Sequence, residues 1–93
     1  MMNKQKKIVT QVKVKNDLGI HTRPATHIVR LLHGCRSNVF FTYKRDTVNA
    51  KSILSLLMLA AQKNAKITIT VDGDDAEETT KKLLHAFESS FGE

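Results

Sequence analysis

The chain has no tryptophan, one cysteine, one proline and few acids over most of its length, and each shortage closes off a class of protein. A single cysteine excludes a disulfide framework within the chain, so the fold has to rest on its core, and Cys35, near the end of an apolar helical stripe, reads as a small core residue. No apolar run approaches the roughly 18 residues a membrane span needs. The charged start from Met1 to Lys7 leads into a strand pattern, not a signal-peptide apolar segment, so a cytoplasmic home without membrane insertion is expected. Acids are scarce before residue 72: residues 1–71 hold 13 Lys and Arg against 2 acids, a net of +11, while Asp72, Asp74, Asp75, Glu77 and Glu78 gather at one helix start. Such a field attracts acidic surfaces, whether nucleic acid or protein. There is no G-x-x-G, and Phe40, Phe41 and Tyr43 lack an aromatic-rich setting for stacked bases, which argues against an RNA-binding module. His21, His27 and His33 recur every six residues, a rotation of roughly 240° per step on a helix, so they do not converge as metal ligands.

What is present describes one small domain over residues 1–93, with no linker, repeat or low-complexity stretch. A chain of 93 residues buries somewhat over about 60% of its extended surface, enough for one core. Ile8, Val12 and Val14 mark one face of a first strand. After Pro24, the residues Ala25, Ile28, Val29, Leu32 and Cys35 form a helical stripe, with Arg30 and His33 off it and Gly34 near its stop. Val39, Phe41 and Tyr43 alternate in a second strand, Lys44 to Asp46 turn the chain, and a third short strand surrounds Val48. A second helix runs from Ser52 to a close at Lys63 and Asn64, and a fourth strand carries Ile67, Ile69 and Val71. The last helix is expected to be capped by Asp74 and to turn Ala76, Leu83, Leu84, Phe87 and Phe91 inward. The order βαββαβα predicts an α+β open-faced β-sandwich, with three helices on one face of a four-stranded, mainly antiparallel sheet.

The functional information concentrates in Gly19-Ile20-His21-Thr22-Arg23-Pro24-Ala25-Thr26. A lone histidine at a helix start is more often an ordinary capping or surface residue. Here it stands beside an arginine and the chain's only proline. Pro24 has a preset φ and no N–H, which suits a first helical turn. His21 then falls at or just before the N-cap, and the free amides of Thr22 and Arg23 would cradle an anion carried on its ring. Arg23 adds a guanidinium fork able to grip two phosphate oxygens, and Gly19 lets the entering backbone bend. Ile53, Leu54, Leu56, Leu57, Met58 and Leu59 make the second helix apolar nearly all round. With Leu56 and Leu59 assigned to the core, Ile53, Leu54, Leu57 and Met58 are left as an exposed patch rimmed by Arg23, Arg30 and Lys51, a candidate docking surface.

The octet around His21 resembles the active-site signature of the histidine-containing phosphocarrier (HPr) family of the bacterial phosphoenolpyruvate-dependent phosphotransferase system. The stretch Thr47 to Ala60 is similar to that family's regulatory-serine signature, at the family's spacing, and the likeness covers roughly residues 7 to 91. The resemblance implies the same fold and a monomeric carrier without cofactor or metal, not itself an enzyme. His21 would accept a phosphoryl group on Nδ1 from enzyme I and pass it to enzyme IIA domains, with Arg23 stabilising it and Thr22, Arg30, Lys51 and the apolar patch meeting partners. It also implies a regulatory phosphorylation of Ser52 by an HPr kinase/phosphorylase, at a site close to His21. Members used in sugar uptake tend to carry Asn or Ser where this chain has Leu18. That residue, the Leu56 to Leu59 run and the Ser90-Phe91-Gly92 ending are closer to the nitrogen-related regulatory branch, whose members control partners without sugar uptake. A member that docks without transferring would lack the histidine, which is present here.

Overall fold

Period-two alternation and three- to four-residue stripes build the expected elements in the expected order. The structure, a computed structural model, describes residues 6–93; of the charged start, Met1 to Gln5 lie outside the described residues. The elements are β1 (Lys6–Lys13), α1 (Thr22–Leu32), β2 (Asn38–Tyr43), β3 (Asp46–Asn49), α2 (Ile53–Leu59), β4 (Lys66–Gly73) and α3 (Ala76–Glu88), followed by a 3-10 turn at Ser90–Gly92. The sheet order is β1-β4-β2-β3 and every pairing is antiparallel. Register puts Ile8 opposite Val71 and Val12 opposite Ile67, and Val71 and Ile69 opposite Val39 and Phe41. That row meets Ala25, Ile28 and Leu32 of α1, Leu56 and Leu59 of α2, and Leu83 and Phe87 of α3 in one core. The other face of the sheet carries Gln11, Thr68, Thr42 and Thr47 in a row across the strands.

Three expectations need correction. The second helix ends at Leu59, not at Lys63 and Asn64, because Ala60 turns left-handed at φ 56° and breaks the hydrogen-bond ladder; Asn64 does take the left-handed geometry of a turn, at φ 74°. The last helix is capped at Asp75 instead of Asp74, and the Asp75 carboxylate does not cap in the usual way. It accepts from the Arg36 amide at 2.8 Å, the Ser37 amide at 3.0 Å and the Ser37 hydroxyl at 2.6 Å, tying the loop after α1 to the start of α3. Those donors, the Arg36 amide foremost, lower its carboxyl to about 2. Leu84 is 38% exposed, because Leu83 takes the core-facing position at this point of α3 and the next residue is turned about 100° away from it. Cys35 is half-buried against the core, with its thiol near the Ser37 carbonyl at 3.5 Å.

Among the described residues no helix is long and apolar enough to cross a membrane.

Candidate functional site

The loop that delivers His21 is fastened to the segment after α2. The Ile20 amide donates to the Ala61 carbonyl at 2.9 Å, and the Gly19 amide to the Asn16 carbonyl at 3.2 Å. Gly19 sits at φ +69°, and a Cβ there would drive into the Ala61 carbonyl oxygen and to 2.8 Å from Gln62 Cα, so only glycine lets the two loops close. From this fixed point the chain enters α1 with His21 as its N-cap residue, in extended geometry and without a capping side chain. The helix therefore starts two residues before Pro24, which occupies its third position. There a missing N–H costs nothing, because the first four amides have no partner within the helix. Ala25, whose amide is the next one able to donate, reaches the His21 carbonyl at 3.0 Å. The amides of Thr22 and Arg23 remain for an outside acceptor at the positive end of the helix dipole. Thr22 and Arg23 are exposed and His21 is half-buried.

A carboxylate already stands at this site. Glu93 Oε2 lies 3.0 Å from His21 Nε2 and 4.0 Å from Arg23 Nε, so histidine and arginine share one anionic oxygen. Its other oxygen, Oε1, accepts from Asn16 Nδ2 at 3.0 Å, and the same nitrogen donates to the Gly19 carbonyl at 2.5 Å. Asn16 and Glu93 are the site residues that sequence reasoning missed. Asn16 lies in the loop before the motif and Glu93 lies 72 residues after His21, so no local signal joins them. The only hint was Phe91, whose burial fixes the turn between α3 and Glu93. Its ring packs edge-on against Phe87 at 4.8 Å and His27 at 6.0 Å. Ser90, Phe91 and Gly92 all take positive φ, a geometry that costs an L-residue about 1–2 kcal/mol. Burying the Phe91 ring contributes about 1.5–3 kcal/mol in return.

The candidate docking residues separate into two groups. Along α1, Arg23, Thr26, His27, Arg30 and Leu31 line a shallow groove. On α2, Ile53, Leu54 and Met58 are exposed at 38%, 68% and 73%, while Leu57 is half-buried against the core and so contributes less to the patch than expected. Lys51 Nζ reaches the Cys35 carbonyl at 3.4 Å, beside the C-terminal end of α1, whereas the chain after α2 meets the N-terminal end at Gly19 and Ile20. The two helices thus run in opposite senses. Ser52, at the start of α2, stands at the opposite end of this helix pair from His21, with the seven residues of α2, about 10 Å of helix, between Ser52 and the end that meets Ile20.

Residues 8–89 match the family model described as the PTS HPr component phosphorylation site. The chain is similar to the phosphocarrier protein HPr of Chlamydia pneumoniae, with 49% identity over 80 residues covering 86% of this chain and 74% of that protein. Among solved structures, HPr-C-His from Thermoanaerobacter tengcongensis superimposes with a TM-score of 0.88 at 32% identity, over 92% of this chain and 97% of that one. The phosphocarrier protein HPr from Bacillus anthracis gives 0.82 at 33% identity, over 87% and 96%.

Proposed function

The chain belongs to the HPr phosphocarrier family, and from that premise we propose that His21 is the phosphoryl acceptor, loaded by phosphorylated enzyme I and unloaded to enzyme IIA proteins. The observation that carries this reading is the His21 ring held through Nε2 by Glu93 at 3.0 Å, beside the exposed Arg23 and in front of an uncapped helix start. With Nε2 occupied, Nδ1 is left for a phosphoryl group, to which Arg23 can offer its guanidinium and the amides of Thr22 and Arg23 can add donors. In this reading Nδ1, the ring nitrogen that Glu93 does not meet, is the acceptor, and the carrier is a cytoplasmic monomer. The groove with Arg30 and the patch of Ile53, Leu54, Leu57 and Met58 receive acidic, partly apolar partner surfaces. Ser52, beside Lys51, is the regulatory phosphorylation site for an HPr kinase/phosphorylase.

Leu18 favours a second reading of the final acceptor. It is 75% exposed in the loop that leads into His21, in place of the Asn or Ser of sugar-uptake members, and supports the nitrogen-related branch with a regulatory enzyme IIA as acceptor. The deciding experiment incubates the protein with enzyme I and labelled phosphoenolpyruvate. The expected product is an acid-labile, base-stable adduct that vanishes in His21→Ala, and label retained in that variant would sink the assignment.

A further inference from the structure

Among the described residues, one nitrogen of the His21 ring is engaged and the other meets no partner. Nε2 faces Glu93 Oε2 at 3.0 Å, and the carboxylate is held from behind by Asn16, which is only 5% exposed and bridges Glu93 Oε1 to the Gly19 carbonyl. Although Glu93 is a surface residue, its side chain is only 18% exposed, and the buried Phe91 ring anchors the left-handed turn that delivers it. A carboxylate accepts hydrogen bonds and donates none, so the nitrogen facing it is the one that carries the proton.

We propose that Glu93 is a positioning residue for phosphoryl acceptance: it holds the proton on His21 Nε2, leaves the Nδ1 lone pair as nucleophile, and stabilises the charge the ring gains on reaction. The inference rests on the carrier reading of His21. In the step, Nδ1 of the neutral ring gives its lone pair to phosphorus, and the bond from phosphorus to the N-phosphorylated donor protein breaks, its electron pair returning to the donor. The proton stays on Nε2, so the product ring is a phosphoimidazolium cation facing the Glu93 anion, and no further reactant is needed. A carboxylate behind a catalytic histidine plays the same two parts in nucleophilic catalysis, fixing the tautomer and stabilising the imidazolium. Arg23, 4.0 Å from the same carboxylate oxygen, offsets the repulsion that Glu93 would exert on an arriving phosphoryl group.

The test pairs a structural reading with a kinetic one on the full chain. Nitrogen-15 shifts of the His21 ring, recorded near pH 8.5 where an ordinary imidazole is neutral, should place the proton on Nε2 in the wild type. In Glu93→Ala they should move toward a mixture of the two tautomers. Phosphoryl uptake from phosphorylated enzyme I should fall roughly tenfold in Glu93→Ala. Glu93→Gln keeps an acceptor without the charge, so it should keep the tautomer and show a smaller loss. Both variants should melt near the wild type, because Phe91 still anchors the turn. A wild-type ring with its proton on Nδ1, or uptake by Glu93→Ala as fast as wild type or faster, overturns the role of Glu93. A wild-type chain that takes up no phosphoryl group overturns the carrier reading together with this role, whereas normal wild-type uptake with undiminished variant uptake overturns the role alone.

Discussion

The first turns of α1 and α2 are both helix starts with a polar residue at the N-cap, and they are finished in opposite ways. At α2, Ser52 closes its own helix: its hydroxyl accepts from the Ser55 amide at 3.2 Å and its carbonyl from the Leu56 amide at 3.0 Å. At α1, the His21 side chain caps nothing and turns to Glu93, and the nearest amides are left without an internal acceptor. The self-capped start is structurally complete. The uncapped start is held open by its surroundings, the Gly19 and Ile20 contacts with Ala61, and its unmet donors are what an anion can use. Function here follows from leaving a local rule unsatisfied and supporting the gap from elsewhere in the fold.

Removing the support should have the largest effect. Gly19→Ala forces an L-residue into φ +69° and its methyl into the Ala61–Gln62 backbone, so a loss of about 2–4 kcal/mol is expected, read as a fall in Tm of more than about 10 °C. Tm unchanged within a degree or two would show that the loop at α1 is not held by this close approach. A smaller and purely chemical effect is expected from Arg23→Lys. Arg23 is 77% exposed on its side chain, so the fold should be indifferent, while losing the planar fork slows phosphoryl uptake by roughly three- to tenfold. Single-turnover kinetics with phosphorylated enzyme I read this directly, and unaltered rates would return Arg23 to the solvated rim of the groove.

How far the sequence could be read follows the range of the interactions. Strand alternation and the α1 stripe are local and periodic, and the placement of His21, Arg23 and Pro24 at a helix start is local too, since they sit within four residues of one another. Where two neighbours of like chemistry compete, a long-range partner decides: Asp75 wins over Asp74 because the Arg36 and Ser37 amides and the Ser37 hydroxyl meet it, and Leu83 wins over Leu84 because the core lies on its side. The end of α2 was hidden because Ala60 and Ala61 carry no stop signal, and Ala60 turns left-handed nonetheless. Asn16 and Glu93 lie 77 residues apart and meet only through the packing of Phe91, which no periodicity encodes.

The smallest effects are expected at the α2 end, where they sharpen the contrast with α1. Ser52→Ala removes the cap and should cost about 1 kcal/mol, a fall in Tm of roughly 4–8 °C. Ser52→Asp should keep Tm near wild type, because aspartate caps as well as serine and its charge suits a helix N-terminus beside Lys51. The seven residues of α2, about 10 Å of helix, exceed the Debye length of about 8 Å at physiological salt, so charge at Ser52 should be largely screened from the chemistry at His21. It should act on docking, repelling an acidic partner that spans both ends of the helix pair and sitting poorly against its contacts with Ile53 and Leu54. The expected signature is a several-fold rise in the KM of enzyme I for the carrier with kcat within about twofold, weakening as salt is raised. A change confined to kcat would mean that the two helix starts communicate inside the carrier, and an unchanged KM would remove the regulatory reading of Ser52.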